Sequence, residues 1–149
     1  MQAELLEKIV IMNSIPFRIY KIENDPIELH ADLIENDAEI ELGFEMAFNG
    51  SLSDGTVGCM TKYVFKQGEC TVSSLTVYCY FVIEPKFLEK NTKDNRLIIG
   101  KDFLRYLATI SVGTARGIQH AKTQGTVLNT FVIPPINLME FEIKDLVLE

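Results

Sequence analysis

Histidine and cysteine are scarce in this chain, and much of the metal and nucleophile chemistry of small proteins goes with them. Two histidines and three cysteines occur in 149 residues. His30 and His120 are remote in sequence, and neither has a cysteine or carboxylate at metal-ligand spacing. Cys59, Cys70 and Cys79 are odd in number and show no CxxC, which argues against a disulfide framework and a zinc site and leaves them as reduced core thiols. There is no GxGxxG after a strand, no GKT or GKS loop, no GxSxG elbow and no HExxH. The carboxylate pairs Glu39 and Glu41, and Glu140 and Glu142, alternate with apolar residues as solvated faces do. No catalytic residue, metal or cofactor is expected, and the protein is not expected to be an enzyme.

Positive charge is also short. Fourteen Lys and Arg stand against 21 Asp and Glu, a formal charge of −7, and the basic residues are scattered. Such a surface repels phosphate backbones, so nucleic acid is excluded as an expected partner. It favours solubility and steers basic or unfolded polypeptides towards the protein. No stretch approaches the roughly 20 apolar residues of a membrane span. Near the start, Glu4 and Glu7 stand where a secretory signal carries positive charge, and the apolar run Ile9 to Met12 is too short for its core. A cytoplasmic protein without membrane insertion is the expectation.

What remains is an ordinary globular composition, 47% apolar and 23% charged, expected to form a single domain over residues 1–149. A chain of this length buries about 70% of its unfolded surface. The segment Glu39 to Asn49 alternates strictly, with Ile40, Leu42, Phe44, Met46 and Phe48 on one face. The turn-rich Asn49 to Gly55 leads to a second strand over Thr56 to Lys66, and Gln67-Gly68-Glu69 to a third over Thr71 to Glu84. This third strand is apolar on both faces: Leu75, Val77, Cys79, Phe81 and Ile83 on one, Tyr78, Tyr80 and Val82 on the other. Lys8 to Glu23, interrupted by Pro16, is expected as an irregular edge strand.

After the polar loop Asn91 to Asn95, Asp102 is the expected N-cap of a helix running to about Thr123, with Gly125 as its stop. Leu104, Leu107, Ser111, Ala115 and Ile118 form its buried stripe. Small residues crowd it, and Gly113 to Gly117 spells a GxxxG, so Ala108, Ser111, Val112, Ala115 and Ile118 are candidates for close packing on a partner subunit. Beyond Gly125 an apolar linker crosses Pro134-Pro135 to a last element over Leu138 to Glu149, a short amphipathic helix or, from Met139, Phe141 and Ile143, a strand; helix is favoured. The expected class is α+β: a four-stranded antiparallel sheet, a long helix and a short C-terminal element.

The end of the helix, Lys122-Thr123-Gln124, followed by Gly125-Thr126, an apolar linker and Pro135-Ile136-Asn137, resembles the SecB family of export chaperones. That family has a similar Gly-Thr, linker and Pro-Val-Asn progression, and the linker here is one residue longer. Upstream, Asn13-Ser14-Ile15-Pro16-Phe17 resembles the family's first strand, and four strands precede the helix. Motif-grade similarity covers Ala121 to Asn137.

The resemblance implies a homodimer or homotetramer that holds unfolded or precursor polypeptides without ATP. Phe44, Phe48, Tyr63, Phe65, Tyr78, Tyr80, Phe131 and Val132 are the candidates for the apolar client-binding surface. Clients would be held by hydrophobic burial and backbone pairing at sheet edges. In the family, acidic positions on the sheet contact the translocation motor SecA; they align with Ser14, Arg18 and Ser74, none of them acidic, so the motor is a weaker expectation than the clients. Two alternatives stand beside a general holdase: a dedicated chaperone for one client, such as an antitoxin, and a small-ligand-binding domain on a similar scaffold.

Overall fold

Alternation from Ile40 onward carries straight into structure. In the computed structural model, which describes residues 15–35 and 38–149, the strands are β1 (Phe17–Asn24), β2 (Glu28–Leu29), β3 (Glu41–Ser51), β4 (Thr56–Gln67) and β5 (Cys70–Ile83). The part of the first expected strand before Ile15, including Ser14, lies outside the described residues. Gly55 and Gly68 take the left-handed backbone that their turns require, at φ 65° and 59°. The sheet order is β1-β5-β4-β3, antiparallel throughout, and the short β2 extends the β1 side of β5. As expected, β1 is an irregular edge strand: its register slips between Ile19 and Lys21.

Helix α1 (Pro85–Asn91) follows β5, with Pro85 in its first turn. Then β6 (Leu97–Ile99) leads into the long helix α2 (Lys101–Lys122). One side of α2 carries Leu104, Leu107, Ala108, Ser111, Val112, Ala115 and Gln119, all buried. They lie on Val57, Cys59, Thr61, Tyr63 and Phe65 of β4 and on Leu75, Val77, Cys79, Phe81 and Ile83 of β5, and this interface is the core. Ile118, expected in the stripe, is half-buried at its margin.

Two expectations about element ends are corrected. Gly100, not Asp102, is the N-cap; Asp102 sits in the first turn, paired with Arg105 at 3.1 Å. The side-chain acceptor for the helix start comes instead from Asp145 Oδ1, which takes the Lys101 N–H at 2.9 Å. The C-terminal segment is not an amphipathic helix. It makes one 3-10 turn, Leu138–Glu140, capped by Asn137, and then the strand β7 (Leu146–Leu148), which pairs with β6. A strand at 97–99 offers the tail backbone partners that a lone short helix, below the length of stability, would not have. No helix among the described residues is long and apolar enough to cross a membrane.

Candidate functional site

Successive side chains of a strand point to opposite faces, so the residues between the core positions of β4 and β5 form a second sheet surface. Neither helix covers it: α2 lies on the other side, and α1 meets the rest through Phe87, whose ring contacts Phe17 and Phe103 on the α2 side. At the centre of this open face Met60 stands directly between Tyr78 and Ala47, and Gly58 between Tyr80 and Asn49. Together they outline a shallow depression of about 240 Å³. Gly58 forms its floor, and a Cβ there would collide with Asn49 Oδ1.

The two tyrosines are braced from β1 and the turn after it. Tyr78 Oη donates to Asp25 Oδ2 at 3.0 Å, and Tyr80 Oη to Glu23 Oε2 at 3.5 Å. The bond to Asp25 holds the Tyr78 hydroxyl above its ordinary pKa. Lys21 bonds Glu23 at 2.9 Å and lies 5.3 Å from the Tyr80 ring centroid, where the ring quadrupole attracts it. At the far end of the same face residues of opposite charge stand across from each other in register, Glu45 opposite Lys62 and Glu41 opposite Lys66. One half of the face is therefore aromatic, edged by Lys21, Glu23 and Asp25, and the other carries charges of both signs.

A second surface lies along β3. As an edge strand it has ladder partners on one side only among the described residues, which leaves backbone donors and acceptors facing outward. Phe44, Met46 and Phe48 line a groove of about 350 Å³ against Phe141 and Ile143 of the C-terminal segment. Phe141 meets Phe44 edge-on at 5.2 Å. Glu45, Glu142 and Lys144 rim the groove.

The client-surface candidates thus divide. Phe44 and Phe48 line the β3 groove; Tyr78 and Tyr80 lie on the open face. Tyr63 and Phe65 do not belong to any surface: they point beneath α2 and are 0% and 6% exposed. Tyr63 packs on Phe44 at 5.4 Å, and burial pushes its hydroxyl up to about 12. Phe131, half-buried, and Val132, exposed, lie on the linker after α2. That linker is stapled to the helix by its carbonyls: Phe131 O accepts from Gln119 Nε2 at 2.8 Å, and Ile133 O and Pro134 O accept from Arg116 at 2.6 and 3.1 Å.

The subunit-interface candidates change more. Ala108, Ser111, Val112 and Ala115 are buried against the protein's own sheet and cannot face a partner; their small size lets α2 lie close to β4 and β5. The opposite side of α2 presents Phe103, Tyr106, Ile110, Gly113 and Gly117, at spacings of three and four. Among the described residues, a Cβ at either glycine would meet nothing within 4 Å. Met60, Phe141 and the outward row Phe103-Tyr106-Ile110 were missed by sequence reasoning. For Met60 and Phe141 the signal was the alternation of their own segments, and for the α2 row it was the spacing of three and four on the other side of the helix. Among the described residues no group of His, Cys, Asp and Glu is placed to hold a metal ion. No protein-family model matches the chain, and no curated protein is significantly similar to it.

Proposed function

We propose that the protein is an ATP-independent holdase that binds non-native polypeptides, in the manner of the SecB-like export chaperones that residues 121–137 resemble. The observation that carries this reading is the β3 edge, where backbone without a ladder partner among the described residues runs beside a groove lined by Phe44, Phe48 and Phe141. An extended chain of almost any sequence gains backbone hydrogen bonds at such an edge and buries alternate apolar side chains in the groove. Neither contact needs a nucleotide, a cofactor or a catalytic group. In this reading the protein works in the cytoplasm as a homodimer or homotetramer, and the outward side of α2 supplies the contact between copies.

Of the two client ranges, general and dedicated, one observation favours the second. Arg18 and Ser74, which align with motor-contacting acidic positions, both face the open side of the sheet, opposite Val82 and Val64. A positive and a neutral residue there do not offer SecA the charge it meets in the family, so delivery to that motor through this face is not part of the proposal. A chaperone freed from the motor suits a narrower clientele, such as an antitoxin.

The test is suppression of aggregation of several unrelated, chemically unfolded proteins, without nucleotide. Near-stoichiometric protection of at least one client is expected, and replacing Phe44 and Phe48 together by Ser should raise the concentration needed for half protection about ten-fold or more, each buried Phe being worth about 1.5–3 kcal/mol. Protection of one client alone identifies the dedicated form. Failure with every client, including antitoxins, overturns the proposal.

A further inference from the structure

Cys59 and Cys79 stand directly opposite each other on β4 and β5. Directly opposed residues project to the same face with Cβ atoms about 4.5–5.5 Å apart. A disulfide needs about 3.5–4.5 Å, so closure by about 1 Å joins the two sulfurs. Both thiols are free and buried, at 1% and 0% exposure, beneath α2. Ser111 and Thr114 of that helix lie beside the pair, their hydroxyls donating to the carbonyls of Leu107 and Ile110 at 2.9 Å. The helix is thus the lid of this pair. With α2 in place, burial pushes the Cys59 thiol up to about 12 and raises that of Cys79 as well, so neither supplies the thiolate that attacks a disulfide.

We propose that Cys59 and Cys79 form a gated dithiol, kept reduced while α2 lies on the sheet and converted to a cross-strand disulfide when α2 lifts and a small disulfide oxidant enters. With glutathione disulfide, one cysteine thiolate attacks the S–S bond, forms a mixed disulfide and releases one glutathione. The second cysteine attacks that mixed disulfide, closes the Cys59–Cys79 bond and releases the other glutathione. Two electrons pass to glutathione, and the two cysteine protons end on its two thiols. The closed bond records that the apolar underside of the sheet has been uncovered. The closure that it demands strains it and leaves it readily reducible. The inference does not depend on the polypeptide-binding reading.

Cys70 is exposed and would compete for glutathione, so the experiment uses the otherwise intact chain with Cys70→Ser. Incubated with glutathione disulfide, this protein should slowly lose two hydrogens by intact mass, with peptide mapping placing the link between residues 59 and 79. Leu107→Ala, which weakens the seat of α2, should accelerate the loss about ten-fold or more. If that variant does not fold, thiol alkylation of the Cys70→Ser protein in sub-denaturing urea decides: one lifting helix unmasks both thiols, so they should label at one common rate that rises with urea. Unequal labelling rates, a rate indifferent to Leu107→Ala, or a stable mixed disulfide that never closes each overturn the proposal.

Discussion

Three protonated groups sit together under α2, the thiols of Cys59 and Cys79 and the hydroxyl of Tyr63, and burial raises the pKa of each. A raised folded-state pKa contributes stability that is complete below the unfolded value, about 8.5 for a thiol and 10 for a tyrosine, and is lost as pH rises towards the folded value. Unfolding free energy should therefore fall between about pH 8.5 and pH 12, with Cys59 alone removing about 1–2 kcal/mol by pH 10. Urea titrations from pH 7.5 to pH 10 check this, because Cys59→Ala should flatten the decline; equal slopes in parent and variant would refute the assignment. That Tyr63 belongs to this set was not legible in the sequence. Tyr63 and Phe65 have the same residue character as Tyr78 and Tyr80, and alternation separates two faces without saying which one a helix will cover. Only the register of β4 on β5, with Tyr63 opposite Leu75 and Met60 opposite Tyr78, decides it.

The long elements were legible because each carries its own signal. The alternation of β3 needs nothing beyond itself, and the spacing of Leu104, Leu107, Ser111 and Ala115 identifies the buried side of α2. The short elements were not, because distant partners make them. β6 and β7 have three residues each and exist as strands only by pairing with one another. The start of α2 depends on distance in the same way: Gly100 has no side chain to cap it, and Asp145 reaches across 44 residues to accept the Lys101 N–H. Asp145→Ala should therefore cost about 1 kcal/mol, the usual worth of a capping acceptor, although Asp145 lies outside the helix. A thermal melt would show a drop of a few degrees, whereas Asp102→Ala, at a position 89% exposed on its side chain, should shift it less. The opposite ranking would return the capping role to Asp102.

For the molecule as a whole, α2 poses a problem that the described residues do not solve. A helix with one covered side is expected to be polar on the other, yet the outward row of α2 reads Phe103, Tyr106, Ile110, Gly113, Gly117; Phe103 leans on Phe17 and Phe87 and Ile110 on the margin of the core, but Phe103 stays 37% and Tyr106 43% exposed. Aromatic and aliphatic side chains at one end and bare backbone at the other make a surface on which a second helix can lie closely. The small residues that would let a second copy approach closely are thus Gly113 and Gly117, on the side of α2 opposite to Ala108, Ser111 and Ala115. If two copies meet here, light scattering at micromolar concentration should give at least a dimer. Gly117→Arg should reduce the mass to that of one chain while leaving the subunit folded, since a Cβ at Gly117 meets nothing within 4 Å among the described residues and glycine is the poorer helix former by about 1 kcal/mol. Ala115→Arg, only two residues away, should instead unfold the subunit, because Ala115 is fully buried on the sheet. An unchanged mass in a folded Gly117→Arg protein would mean that this row of α2 is not where copies of the chain meet.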